Sequence, residues 1–506
     1  MLKHHIMKFN FKKYRVGGLL LILAAATGSG CKKYLDEKNK SNFVKDNYFV
    51  SSNQALTFVN GLYNVMYFFQ NGDAYGESPF ITLELFAGHA TSLGQSVNNG
   101  NVIHQRTDAV NPGFETVWYN CYKGIANANL AIEKIPGISP MDDGLKKKLI
   151  GEAYFFRAFY YYHLVRLYGD VPLITASQTV SSPDLYPSRT PVADVYKQII
   201  SDLQAAEESG MPNTDASGRV SLGAVKTLLA SVYLTTAGFP LKQTENYAKA
   251  ASEIEPVLGW YSLFPDYAFL HDNAHKNQQE LIFQINYLVG TQTNAIPQLT
   301  IPFNLLVGAY GDHLGAMIPT NQFVASYEAG DLRTQERQFY FSSYPQYGNP
   351  GNIIQFGEHA LYKYFHVESA AQSGRSDENW TLLRLPEAQL IYAEATNEVS
   401  GPTAEAYAAV NAIRARAKLA PLSNLTKDTF RQAIWRERYH ELAYENKAYF
   451  DMQRTHMAYL PQSNTFADPT ASQTEQGVTF KTQYYLWPIP QREISTNSKL
   501  TQNPGW

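Results

Sequence analysis

The chain is expected to fold as a mostly α-helical protein, with paired helices forming a scaffold and two long loop-rich stretches carried on it. Three observations predict this. Apolar residues recur at helical spacing over nine segments. Helix-start and helix-stop residues punctuate those segments. Two intervals, Gln70–Pro112 and Gly259–Leu385, lack that period and are rich in Gly, Asn, Pro and aromatic residues.

The first thirty residues are read as a leader. Lys3, Lys8, Lys12, Lys13 and Arg15 precede the apolar run Val16–Ala26, which is too short to span a bilayer and ends in the small residues Thr27–Gly30. Cys31 follows directly, which predicts lipidation of its thiol and a membrane anchor of several acyl chains. Gly28 stands where a bacterial lipoprotein signal usually has Leu. Conventional cleavage after Ala26 or Gly30 is the alternative, and would leave Cys31 a free thiol. Residues 31–50 then read as a polar, lipid-anchored leash, and 51–506 as one domain.

Helical patterns follow at Asn53–Met66, Glu115–Lys134, Leu145–Leu167, Pro191–Glu208, Leu222–Ala237 and Asn246–Val257. They resume at Pro386–Glu398, Thr403–Ala417 and Lys427–Tyr444. The scaffold therefore covers about 51–69, 113–258 and 386–506. Thr190-Pro191 and Asp428 supply helix starts, and Gly169-Asp170-Val171-Pro172 and Gly238-Phe239-Pro240 supply stops. The pairs resemble one another. Leu228–Leu234 is followed by Tyr247–Ala250, and Leu390–Ala395 by Ala406–Val410. Small residues facing aromatics across a helix pair is the packing logic of tetratricopeptide repeats, and predicts an α-superhelical scaffold. The segment Gly151–Tyr168 is apolar nearly all round and must be buried on both sides. Its charged residues Glu152, Arg157 and Arg166 are expected to pair with other elements.

Residues 1–30 hold five of the 42 basic residues and none of the 45 acidic ones, so the remainder carries a net charge of −8. An acidic body without a basic face excludes general nucleic-acid binding. Cys121 alone accompanies Cys31, so no disulfide framework holds the fold, and Cys121 reads as a buried small hydrophobe. No later stretch reaches the length of a membrane span. Aromatic residues make up 13% of the chain, led by 35 Tyr. In loops too rich in Phe, Tyr and Trp to be disordered, they predict the ligand surface.

Catalytic constellations are missing from the sequence. It has no Gly-x-Ser-x-Gly elbow, no phosphate-cradling loop and no His-Glu-x-x-His helix. His440-Glu441 reads as packing or a salt bridge. No cofactor, no metal and no enzymatic activity are expected. Paired carboxylates for glycoside hydrolysis, drawn from Glu84, Asp266 or Asp312, form the minor alternative. A sugar site instead wants flat aromatic faces with amide, carboxylate or imidazole groups at the ring edge. Two clusters offer that mixture: Asp73–Glu77 and Ser96–Asn101 flanking His89 in the first loop region, with Tyr75, His89, Asn98, Asn99 and Asn101 as its candidates, and Phe303, Tyr310, Asp312, His313 and Trp380 in the second. Trp260, Tyr261 and Tyr267 are further candidates that could equally be core.

The helix Gly151–Tyr168 with its exit Gly169–Ile174 closely resembles the signature helix of the SusD/RagB family of Bacteroidetes outer-membrane lipoproteins. Arg189–Tyr196, Tyr327–Arg333, Leu383–Ala395, Asn411–Ala417, Glu437–Glu445 with Phe450-Asp451, and Leu486–Pro490 through Trp506 are similar to further family segments in the expected order. The resemblance covers essentially the whole chain after the leader and fades in the loops. It implies tetratricopeptide-like pairs beside a variable, loop-rich, ligand-binding half. It also implies cell-surface capture of oligosaccharide for a SusC-like TonB-dependent transporter, over whose mouth the protein would sit as a hinged lid. Peptide binding by the same scaffold is the alternative it leaves open. The acidic charge mildly favours cationic peptides, whereas the Tyr- and Asn-rich loops favour glycans. The Gly-Asp-x-Arg turn around Asp331 and Arg333 is expected to be fixed by a local salt bridge.

Overall fold

The computed structural model describes residues 49–69, 77–94, 96–302, 306–309, 314–368 and 374–506. The chain divides after Val50, and the unit Ser51–Trp506 carries the fold. It opens with α1 (Ser52–Val65), α2 (Pro79–Ala87), β1 (Ala90–Thr91), α3 (Val97–Ile103), α4 (Pro112–Lys134) and α5 (Asp143–Tyr168). Asp142 starts α5 by accepting the Leu145 amide at 2.8 Å, one of the orphan donors of a helix N-terminus. From Leu149 onward α5 is buried on nearly every face, packed between α4 and α6 (Val192–Glu207), as its unbroken apolar sequence requires. A Cβ on Gly124 of α4 would lie 2.2 Å from the Tyr160 ring, so this crossing admits only glycine. Cys121, also on α4, is fully buried, and burial pushes its thiol pKa up.

Of the three charged residues in the Gly151–Tyr168 stretch of α5, two pair as expected. Glu152 accepts from Arg219 Nε at 3.0 Å and from the Tyr63 hydroxyl at 2.8 Å. Arg157 meets Asp202 at 2.6 Å. Arg166 departs from the expectation. It has no carboxylate partner among the described residues, and its guanidinium lies between the rings of Tyr162 and Phe450, 3.7 and 3.6 Å from their centroids.

Next come α7 (Leu222–Ala237), α8 (Asn246–Ile254), β2 (Leu281–Ile285), α9 (Ile296–Thr300), β3 (Ile318–Pro319), α10 (Asn321–Ala325), β4 (Tyr340–Gln346), β5 (Asn349–Leu361) and β6 (Trp380–Arg384). The chain closes with α11 (Leu385–Ser400), α12 (Ala404–Arg416), α13 (Lys427–Glu441), α14 (Ala448–Thr455), β7 (Ala458–Leu460), β8 (Thr465–Ala467) and α15 (Gln491–Thr496). Among the described residues the strands pair only two by two, all antiparallel: β1 with β3, β2 with β6, β4 with β5, β7 with β8. The mostly α architecture is as the sequence predicts. Helix α8 packs on α7 and α11, and α11 on α12 and α13. Leu390 and Ala393 of α11 meet Ala406, Val410 and Ile413 of α12 and Phe430 of α13, the small-against-aromatic packing of tetratricopeptide pairs. The regions read as loops differ from that reading, since they contain α2, α3 and the long β4–β5 hairpin.

A buried charged lattice fastens the loop-rich half to the helices. Arg333 meets Asp331 and Glu437, each at 2.6 Å, so the expected local bridge is present and extends into α13. Arg384, ending β6, meets Glu441 at 2.6 Å and Glu445 at 2.8 Å. Arg416, ending α12, meets Glu441 at 2.6 Å and also holds Glu280, which precedes β2. Burial alone would push the Glu441 pKa up, but the guanidinia of Arg416, Arg384 and Arg333 hold it well below the usual carboxylate range. His440 beside it is packing, as read, stacked on Tyr327 and kept neutral by burial.

Candidate ligand-binding site

Backbone pairing brings the two loop-rich regions together. In β1 and β3, Ala90 faces Pro319 and Thr91 faces Ile318. The Leu93 amide extends the seam by donating to the Gly315 carbonyl at 2.8 Å, and the Thr320 amide donates to the His89 carbonyl at 3.1 Å. Gly94 permits the close approach, because a Cβ there would lie 2.9 Å from the Leu314 carbonyl oxygen. Residues 314–316 are held from behind by backbone bonds to Gln298, Leu299 and Ile301.

The first loop region also carries a polar cluster built on helix caps. Ser96 caps α3 by accepting the Asn99 amide at 3.0 Å, and its hydroxyl donates to Glu77 at 2.6 Å. Asn98 donates its amide to the other Glu77 oxygen at 2.7 Å. Asn111 caps α4, accepting the Gly113 amide at 2.8 Å. A cleft of about 90 Å³ is lined by Glu77, Thr82, Asn98, Asn99, Asn111 and Thr116. Exposed apolar side chains border the region: Val97 on α3 and Leu93 on the seam. The arrangement offers carboxylate, amide and hydroxyl groups next to apolar contact surface, which suits a ligand with many hydroxyls.

Of the residues singled out from sequence, Asn98, Asn99 and Asn101 fall together on α3, the first two lining the cleft. His89 does not face solvent. It is 3% exposed, its Nε2 lies 2.9 Å from Glu84, and its ring packs on Phe323 and Tyr444. Trp380 is likewise core. Pairing of β6 with β2 turns it inward, stacked on Tyr364 at 4.9 Å with Phe80 edge-on at 4.3 Å, so it offers no stacking face. Tyr267 is also core, its hydroxyl bonded to Glu441 at 3.0 Å. Cys31, Tyr75, Phe303, Tyr310, Asp312 and His313 lie outside the described residues. Glu77 belongs to the first cluster of the sequence reading, and Asn111 is a member that reading did not select. Asn-Pro at a helix start was the available signal for Asn111.

Two of the carboxylates considered for hydrolysis, Glu84 and Asp266, serve structure, and Asp312 lies outside the described residues. Glu84 is 1% exposed and binds His89 and the Asn446 side-chain amide, the latter at 2.9 Å. Asp266 caps the short turn Tyr267–His271 by accepting the Ala268 amide at 2.9 Å. Among the described residues, no group of His, Cys, Asp and Glu is arranged to hold a metal ion, and no helix is long and apolar enough to cross a membrane.

Residues 317–506 match the SusD family, and residues 33–234 match a SusD-like family described as starch-binding and associating with the outer membrane. A crystal structure of a SusD superfamily protein from Parabacteroides distasonis is 35% identical, covers 90% of this chain and all of its own, and superposes with a TM-score of 0.87. The chain belongs to the SusD family. A SusD-like protein, P2, of Formosa agariphila is 29% identical, with 98% of this chain and 100% of the relative covered. Surface glycan-binding protein A from Bacteroides thetaiotaomicron, solved with laminarihexaose, shares the fold at 19% identity and a TM-score of 0.73, covering 89% of this SusD-family chain and 99% of its own.

Proposed function

We propose that this SusD-family protein is a non-catalytic glycan receptor held at the cell surface by lipidated Cys31. It captures oligosaccharide where the two loop regions meet and passes it to a SusC-like TonB-dependent transporter. What supports the reading is the β1–β3 seam, which joins the two loop regions, together with the polar Glu77–Asn98 cluster that the first of them carries. A cleft of about 90 Å³ suits the hydroxyl edge of a sugar, with the ring and neighbouring residues left to the loops. Capped helices hold those amides in place, which lowers the ordering cost of binding. The glycan complex of a fold relative supports the ligand class.

Affinity electrophoresis of the purified protein against a panel of β-glucans, starch and other polysaccharides tests the reading. Retardation by at least one glycan, without release of reducing ends, is expected. Mobility unchanged by every polysaccharide, together with calorimetric heat from mixed oligopeptides, would replace glycan by peptide as the ligand.

A further inference from the structure

A second, larger cleft opens at the other end of α2. Pro79 and Thr82, toward the start of that helix, line the Glu77 cleft, whereas Phe86, Ala87 and Gly88 at its end line the second. The two share no lining residue among those described. At ~1.5 Å per residue, Pro79 and Ala87 lie about 12 Å apart along the axis. The second cleft has a volume of about 830 Å³. That falls within the roughly 300–1,000 Å³ in which pockets take in a ligand of several rings.

Its walls are two turns near the end of the chain. Residues 461–463, between β7 and β8, form one. Residues 469–480 form the other, folded back where Gln473 faces Thr479 in an antiparallel bridge. Two contacts fasten this second wall to the body. The Glu475 carboxylate accepts the Gln322 backbone amide, at the start of α10, at 3.1 Å. Thr474 packs on Gly88, whose φ of +82° ends α2 in the left-handed region and where a Cβ would lie 2.9 Å from the Thr474 methyl carbon. A wall ordered before the ligand arrives lowers the cost of binding.

The chemistry of the lining is narrow. Half-buried Leu460, Pro461 and Val478 supply apolar surface. Gln322, Gln462, Ser463, Gln473 and Thr479 supply uncharged polar groups. The side chains of Gln322, Gln462 and Gln473 make no hydrogen bond among the described residues, so each amide keeps its donors and its acceptor for a ligand. Glu475 is the one charged residue among the described lining residues, and one of its oxygens is taken by Gln322. The flanking charges are engaged elsewhere. Asp468 accepts the Thr470 amide and hydroxyl at 2.8 and 2.7 Å, and Lys481 donates to the Gln105 carbonyl at 2.8 Å. A carboxylate, sulfate or phosphate on a ligand would find no cation here to offset its desolvation.

We propose that this cleft is a second carbohydrate site, which takes a short stretch of neutral oligosaccharide independently of the Glu77–Asn98 cleft. The C–H faces of the rings rest on Leu460, Pro461 and Val478, and ring hydroxyls exchange hydrogen bonds with the glutamine amides. The lining by itself calls for a neutral polyhydroxyl ligand, and naming that ligand a glycan rests on the function proposed above.

Crystals of the unmodified protein soaked with laminarihexaose, maltohexaose or xylohexaose give the direct test. Sugar density between Gln462 and Gln473 is expected for at least one probe. In parallel, affinity electrophoresis compares the parent with the double variant Gln462→Ala/Gln473→Ala in laminarin, starch, xylan and polygalacturonate. Both side chains are exposed and unbonded, so the variant's unfolding midpoint should match the parent's. Retention by the matching neutral polysaccharide is expected to weaken at least about threefold, the equivalent of one neutral hydrogen bond, with no change in polygalacturonate. An equal loss in polygalacturonate overturns the proposal. Density in the cleft without any loss in the variant means binding at crystal concentration only and overturns it as well. Retention that Asn98→Ala weakens and the double variant leaves intact, with sugar density only at the Glu77 cleft, overturns this proposal and leaves the proposed function standing. A parent retained by no polysaccharide, with no sugar density in either cleft, overturns both.

Discussion

Arg384 Nη1 donates to Glu441 Oε1 at 2.6 Å, with both side chains at most 2% exposed. The pair joins the end of β6 to the end of α13, so it spans the boundary between the loop-rich half and the helical half. Removing one partner leaves the other charged and buried. Arg384→Met is therefore expected to destabilise the protein by about 3–5 kcal/mol, read as a lower urea midpoint. A change below about 1 kcal/mol would show that the lattice redistributes its charges freely.

At the seam between α6, α7 and α8, Lys226 holds Glu207 and Glu253 at 2.5 and 2.6 Å. Burial, and the neighbouring Glu207, push the Glu253 carboxyl up to about 7. The folded protein thus keeps a proton that the unfolded chain releases near pH ~4.3. Folding takes up that proton between these values, so this group's contribution falls as pH rises from about 4.3 to about 7. Glu253→Gln is expected to gain about 1 kcal/mol relative to the parent between pH 5 and pH 8, after allowance for solvent screening. Thermal unfolding across that range checks it, and a pH-independent difference would contradict it.

Gly124 lies against the Tyr160 ring with no room for a methyl group. Gly124→Ala should separate α4 from α5 and cost about 1–3 kcal/mol by overpacking. In the same background Tyr160→Leu, which shortens the facing side chain, should recover part of the loss in chemical denaturation.

Asn98→Ala removes an amide from the cleft, and Glu77→Gln removes its negative charge. Either is expected to weaken binding of a retained oligosaccharide roughly tenfold, the equivalent of one charge-assisted hydrogen bond, with the unfolding midpoint nearly unchanged. Unaltered affinity in both variants would move the binding site elsewhere on the loops.

Cys31→Ala is expected to release the protein from the membrane fraction and abolish uptake, while calorimetry on the purified variant gives the parent's affinity. Uptake that survived the change would make the tether dispensable.

Periodicity carried the scaffold because long helices with one polar face announce themselves. The segment read as Pro191–Glu208 runs Val192–Glu207. Helix α2 escaped notice because Pro79–Phe86 is buried on every side, which erases the period. Helix α3 is short and Asn-rich, and only its Ser96 cap marks it. Trp380 illustrates a different limit. Whether an aromatic residue stacks on a ligand or on Tyr364 depends on which strand pairs beside it, and β2 lies about a hundred residues away. The charged lattice was hidden for the same reason, since Arg333 and Arg384 look like surface residues until their distant carboxylates are brought to them. Arg333 was legible only through its neighbour Asp331.

The seam between β1 and β3 is tied by main-chain atoms, with Gly94 as its one steric requirement. Nothing in that joint depends on the identity of the side chains at Leu93, Val97 or Asn98. If the proposed function holds, recognition is separate from architecture: a lineage could redraw its diet by exchanging these side chains, one after another, without renegotiating the fold that presents them.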